Sequence, residues 1–507
     1  MRLRTADFAL PGLRKERLQW LRGTETADGA HVLYWMQSSL RTKFNYALEV
    51  AVSAAARLQQ PLHILHTIDP DVPSSERHMA FVLESVRDVH AALQSTRSLR
   101  LSVAHAVSLP TALAAARDAS LVVVDHPYLR AGNHLCQTFA AQATSTSVLQ
   151  VEGDVVVPVE AVSDKEEHAA RTIRPKITKL LDKYLVPLPP TSTEGINLLA
   201  TPLEKLHEMT HIAWLDMTQS VDELLEAMPH LDRSIPRVDT YIGGEVAAQA
   251  MLTLFLDKKL PKYDTARNEP GGDGASNLSP YLRHGNLSPV DIALQTKAKA
   301  GTGAALAASK ASFLEELIVR RELSVNFVWF NPRYDTFEGA LPKYALQTLA
   351  DHAGDTRPHA YTAEVMEAGK TKDAYWNAAQ LDMIATGKMQ NYMRMYWGKK
   401  IIEWSATPED AFASAIEWND KYNLDGCDPN SYAGVAWVFG KHDQGWKERE
   451  IFGKVRYMNA DGLERKFDMG AYLALVRKRC KAVGRDTGTS LAALPSKKKP
   501  PAKRKRV

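Results

Sequence analysis

At 507 residues, with 45% apolar and 24% charged side chains, the chain is too long for one hydrophobic core and reads as a two-domain globular protein. It has no apolar run long enough to cross a bilayer, which excludes a helical membrane-spanning class. The formal charge of +4 leans on the tail PSKKKPPAKRKRV, which holds seven of the 63 basic residues and no acid, so overall charge says little about DNA and local patches would have to supply phosphate contacts.

The start, MRLRTADFALPGLRKERLQW, is Arg-rich but contains Asp7 and Glu16 and lacks the apolar stretch of a secretory signal; an organelle transit role stays open. Residues 1–30 are set apart as a polar extension. The runs HVLYWM (31–36), PLHILHTI (61–68), LRLSVAHA (99–106), SLVVVD (120–125) and SVLQVEGDVVV (147–157) then read as strands. Ala-rich helical segments such as YALEVAVSAAARLQQ (46–60) separate them. Strand and helix in alternation predict an α/β domain over 31–157, a Rossmann-like parallel sheet with helices on both faces. It carries neither GxGxxG nor GxxxxGK[ST], so a nucleotide site of the glycine-loop type is not supported.

Residues 158–200 are rich in Pro and charge and read as a connector with one short helix. From about Thr201 the pattern is helical: VDELLEAM (221–228), GGEVAAQAMLTLFLDKKL (243–260), SPVDIALQTKAKA (288–300) and ASFLEELIVRRELSVNFV (311–328) lead to helices around 376, 393 and 411. An all-α domain is predicted over 201–483, with GTGAALAASKAS (301–312) as a surface turn. Residues 484–507 form a basic tail predicted to be disordered, whose two clusters resemble a nuclear import signal. Nuclear localisation through an import receptor follows as an expectation, with a mitochondrial or chloroplast pool left open. Cys136, Cys427 and Cys480 form no CxxC pair and no metal-ligand spacing, which predicts a reducing compartment and no metal.

Five of the ten tryptophans fall between 376 and 437. Met393, Trp397, Ile401 and Trp404 share one helical face, and Trp376 lies one short helix earlier; alone, such a stripe reads as core. In YDTARNEPGGDGASNLSPYLRHG (263–285), Ser and Asn precede a helix starting near Ser279, which makes either a diphosphate cradle or plain N-caps. Glu315 and Glu316 precede Arg320 and Arg321 at i,i+4 or i,i+5 spacing, as on an ion-paired surface helix. Lys441, Lys454 and Arg456 with Trp446 suit phosphate binding or a solvated loop.

Taken in order, WNAAQ (376–380), MRMYWGKKIIEW (393–404), WNDKYNLDGCDPN (418–430) and AGVAWVFGKHD (433–443) resemble the C-terminal part of class II DNA photolyases, which repair cyclobutane pyrimidine dimers. YWMQ (34–37) with Arg41 and Asn45, SNLSPYL (276–282), FLEELIVRREL (313–323) and EREIFGKVRYMN (448–459) extend the resemblance over about residues 31–480. It implies FAD in the helical domain and leaves open whether the sheet domain holds an antenna chromophore of 8-hydroxy-deazaflavin or folate type. A monomeric, light-dependent lyase acting on duplex DNA would result.

By this resemblance Tyr263, Ser276, Asn277, Leu278, Ser279, Asn391, Arg394, Asn419 and Asp425 hold the cofactor, with Asn419 facing flavin N5. Glu316 hydrogen-bonds the dimer in a dry cleft, while Met395 and Trp437 give the flipped dimer an apolar surface. Trp404 and Trp376 pass electrons from the surface to Trp397, and Lys441, Lys454, Arg456 and Trp437 contact DNA. Arg283 and His284 depart from the family pattern LSPYLHFG. A cryptochrome-like blue-light receptor without repair activity is the competing expectation.

Overall fold

The β-branched runs, too apolar to face water, form one seven-stranded sheet in the order β1-β6-β5-β2-β3-β4-β7. The strands are β1 (Leu18–Arg22), β2 (His31–Trp35), β3 (Leu62–Ile68), β4 (Leu101–His105), β5 (Ala119–Asp125), β6 (Ser147–Val151) and β7 (Ala213–Trp214). This computed structural model describes residues 1–193 and 212–491. The five inner strands are parallel, whereas β1 and β7 pair antiparallel on the two edges. Strand β5 is buried along its whole length, as expected where helices cover both faces.

Several boundaries differ from the sequence expectation. Strand β1 lies within the stretch set apart as an extension, and β7 lies beyond residue 200 yet completes the N-terminal sheet. Two short edge strands carry little alternation of their own; pairing with β6 and β4 makes them strands. Within 158–200, the helix Ala170–Tyr184 is long, and residues 194–200 of the connector lie outside the described residues. The segment 301–312 is not a turn, because a helix begins at Ala304. Alanine's high helix propensity outweighs the low information of that stretch. Tail residues up to Leu491 pack on the helical domain: Leu491 is fully buried and Ser490 accepts from Asn377 Nδ2 at 3.0 Å. The basic clusters from Lys497 to Arg506 lie outside the described residues.

The helical part centres on a continuous rod: Ala304–Leu314, a wide π-turn at Glu315–Arg320, and Arg321–Phe330. Around it stand Ala374–Thr386, Asn391–Trp404, Pro408–Tyr422 and Pro429–Val438. Their starts are side-chain capped by Asp373, Gln390, Thr407 and Asp428, each accepting from backbone N–H groups of the first turn.

Buried charged side chains close the loop after β2 and hold the sheet against the helices. Asp125 accepts the N–H groups of Gln37, Ser38 and Ser39 at 2.9, 2.9 and 3.1 Å, closing the loop after β2. Arg41, buried, bridges Asp154 at 2.7 Å and the Gly285 carbonyl at 2.9 Å. Gly285 has φ +67°, and a Cβ there would stand 1.9 Å from the Ser38 carbonyl oxygen, so the close approach requires glycine. Farther along, Arg77 donates to the carbonyls of Pro236, Tyr422 and Ile384 at 3.1, 2.7 and 2.6 Å, capping the ends of two helices with one guanidinium.

Candidate active site

A cavity of about 360 Å3 opens among the helices, within the roughly 300–1,000 Å3 of ordinary ligand pockets. Its wall includes Tyr263, Ser276, Asn277, Leu278, Ser279, Glu316, Asn391, Arg394 and Asp425. Most of the residues assigned to cofactor binding by resemblance, far apart in sequence, thus meet in one place. Arg394 and Asp425 form an ion pair at 3.1 Å. Burial raises the Asp425 pKa, yet Arg394, Lys388 and a hydrogen bond from Ser279 outweigh it and hold the carboxyl below its ordinary range.

The loop before residue 279 is shaped by its own side chains. Asn277 adopts φ +62°, a left-handed conformation that Asn tolerates, and its amide bridges Asp273 at 3.1 Å and Lys388 at 3.0 Å. The following helix, Ser279–Arg283, has only five residues, so its dipole contributes little and the cradle depends on side chains. Arg283 donates to the Gly426 carbonyl at 2.8 Å, while His284 is buried against Phe81, with ring centroids 4.7 Å apart. The departure from LSPYLHFG therefore fixes the cavity floor and the domain seam.

At Glu316 the expectation of a dry surround needs correction. Its carboxylate pairs with Arg267 at 2.6 Å and keeps 35% of the side chain exposed. The π-turn explains the neighbouring ion pair: widening the helix brings i and i+5 together, so Glu315 meets Arg320 at 3.2 Å and also binds Arg174 at 2.6 Å. Glu316 is left facing the cavity beside Tyr263. Burial first, then Glu316, pushes the Tyr263 pKa up to about 12.

Asn419 is not on the cavity wall. It is almost completely buried, its amide donating to Ser431 at 2.7 Å and Asp420 at 3.1 Å and accepting from Asn423 at 3.1 Å. A buried amide satisfies its polar atoms where partners exist, and three neighbours supply them here. Met395 is half-buried, and Trp437 is 36% exposed with the Arg320 guanidinium 5.7 Å from its ring centroid. Both lie off the cavity wall.

Trp376, Trp397 and Trp404 are all buried. The Trp376 and Trp404 rings meet edge to face with centroids 5.4 Å apart. Trp397 donates its indole N–H to Gln380 at 2.8 Å and lies 6.3 Å from Trp418. Trp404 does not reach the surface as expected, because the half-buried Tyr361 covers it at 5.2 Å.

The DNA-contact assignments divide. Lys454 is exposed, and Arg456 stacks over the exposed Trp446 at 5.0 Å. Lys441 is taken up in an ion pair with Glu166 and lies over Phe327 at 4.7 Å, so it is a structural contact rather than a free cation. The residues that sequence reasoning missed are Lys388, Tyr241, Arg267 and the Asp382–Arg479 pair at 3.0 Å, all on the wall. Only Arg267 left a signal, four residues after Tyr263 on one short helical face.

The profile of the DNA photolyase family matches residues 32–193. The deoxyribodipyrimidine photo-lyase of Methanothermobacter thermautotrophicus is 41% identical over 467 residues, covering 92% of this chain and 99% of that protein. The enzyme of the same name from Oryza sativa is 39% identical, covering 89% and 88%. That of Potorous tridactylus is 34% identical, covering 93% and 86%. A crystal structure of a class III photolyase from Agrobacterium tumefaciens superposes with TM-score 0.63 at 17% identity, over 91% of this chain and 93% of that one, which speaks for the fold. With a relative this similar matched almost end to end, and with the sheet and helical cavity in place, the chain belongs to the DNA photolyase family.

Proposed function

We propose that this chain is a class II photolyase that binds duplex DNA at a cyclobutane pyrimidine dimer and splits the dimer with light, using FAD. The observation that carries the reading is one cavity lined by polar donors and the Arg394–Asp425 pair, with a buried stack of tryptophans in the same helical core.

The residues present fit FAD. Among the described residues Arg394 Nε is buried with no protein partner, Ser276 and Ser279 line the wall, and Leu278, Phe313 and Met389 give it apolar surface. When bound, reduced and excited by blue or near-ultraviolet light, FAD supplies a one-electron donor. Arg394 and Asp425 orient it and set the local field. Trp404, Trp376 and Trp397 carry electrons inward, with Tyr361 as the outer cover of the stack. Asn419 holds the 408–422 helix to Ser431, and by family resemblance it would be the amide facing flavin N5.

Glu316 hydrogen-bonds the dimer, and Arg267 keeps its carboxylate positioned until then. Met395 and Trp437 offer the flipped dimer an apolar face, and extrusion is favoured because a dimer is already poorly stacked. Lys454 and Arg456 contact phosphates, so binding weakens as salt rises.

The test is direct. Reduced, FAD-loaded protein is incubated with an oligonucleotide carrying one thymine dimer, in the dark and under blue light. Loss of the dimer only under illumination supports the reading; equal loss in the dark, or no loss in the light, overturns it and in the second case leaves a light receptor.

A further inference from the structure

The charges on the cavity wall are almost all matched. Asp425 pairs with Arg394, Asp382 with Arg479, Asp273 with Lys259 and Glu316 with Arg267. Asp428 is spent on capping, accepting from Asn430 N at 2.8 Å. Among the cations, Arg283 and Arg321 donate to the carbonyls of Gly426 at 2.8 Å and Asp154 at 2.6 Å.

Lys388 differs. Its ammonium donates to the neutral amide of Asn277 at 3.0 Å, and among the described residues it has no carboxylate within ion-pair distance. It sits deep among protein atoms, keeping only part of its surface open, and it lines the cavity. The Tyr241 ring lies 5.9 Å from Nζ. A cation removed from water without a counter-charge is unfavourable, so the site is built for an anion that arrives with the ligand.

We propose that Lys388 receives the diphosphate of FAD, presented to it beside the Ser276–Ser279 loop by Asn277. This rests on the flavin reading of the cavity. FAD in its oxidised form has an uncharged ring, so the diphosphate carries its negative charge. Burial lowers the Lys388 pKa to about 8; Asp425 and Asp273 draw it up, and Arg394 and Lys259 push it further down. Asp382, with its partner Arg479, faces the same space. An anion at Nζ favours the protonated form, so binding and protonation of Lys388 are linked.

The experiment strips the full-length chain of flavin and follows rebinding of oxidised FAD by fluorescence quenching between pH 6.5 and 9.5. For Lys388→Met the dissociation constant is expected to rise by about 10- to 100-fold at pH 7, as for loss of a charge-assisted hydrogen bond. Lys388→Arg, which keeps the charge at every pH tested, should bind within about threefold of the parent. The parent's affinity should fall from about pH 8 upward, while both variants stay flat across that range. Flavin-free Lys388→Met should melt no lower than the parent, since it removes an uncompensated charge.

Equal affinity of Lys388→Met and parent at pH 7 overturns the proposal, as does a parent profile that is flat above pH 8. A parent chain that binds no FAD at any pH overturns the flavin reading instead.

Discussion

The indole N–H of Trp376 donates to the backbone carbonyl of Trp397 at 2.9 Å. Two helices, Ala374–Thr386 and Asn391–Trp404, are thereby pinned at the point where their aromatic side chains converge. The bond fixes ring orientation, and an aromatic pair buried this way keeps its edge contact without relying on exposure to solvent.

Replacing Trp397 with Phe keeps the apolar volume approximately but removes the oxidisable indole and its bond to Gln380. Light-driven reduction of oxidised flavin is expected to be lost or strongly slowed. Dimer repair by chemically reduced protein should persist. Transient absorption and a single-turnover repair assay check the two arms, and equal loss of both would refute the relay.

Arg77→Met removes a guanidinium that satisfies carbonyls of Pro236, Ile384 and Tyr422 at once. Leaving these buried acceptors unpaired should destabilise the protein by roughly 3 kcal/mol. Because Lys388 and Asp425 follow those helix ends within a few residues, flavin retention should fall as well. Urea unfolding and the flavin-to-protein absorbance ratio measure both.

Glu322 carries a pH dependence of stability. Burial raises its pKa to about 8 despite hydrogen bonds from the N–H groups of Val156 and Val157. The unfolded side chain ionises near about 4.3, so the folded state favours the neutral acid. This contribution is complete below the unfolded value and is lost as pH rises through about 8. Glu322→Gln mimics the neutral form. Its melting temperature should exceed the parent's by on the order of 4 °C at pH 8, with little difference at pH 4. Calorimetry at the two pH values decides it, and a constant difference would refute the assignment.

The basic residues near the C-terminus should separate into two kinds. Lys454→Ala and Arg456→Ala should weaken DNA binding and each reduce the salt slope by about 0.9, leaving the melting temperature near the parent's. Lys441→Ala should instead destabilise the protein through the stranded Glu166, with the salt slope unchanged. Fluorescence anisotropy over a salt series, alongside thermal melts, distinguishes them.

The sequence by itself determined the α/β and α halves, the five inner strands and most of the helices, and the family resemblance grouped Ser276–Ser279, Arg394 and Asp425, which line one cavity. These were legible because periodicity is local and because the motif residues keep their order along the chain. Tertiary structure alone decided the rest. The two edge strands exist only through pairing, and Glu316 finds Arg267 only because a π-turn and a distant loop meet. Lys441 became a structural ion pair, and Asn419 lies off the cavity wall, bonded to Ser431. Lys388 is left without a carboxylate at ion-pair distance among the described residues because Asp273, Asp382 and Asp425 pair with other cations. Electrostatic pairing depends on three-dimensional distance and burial, and neither is written in the spacing of residues along a chain.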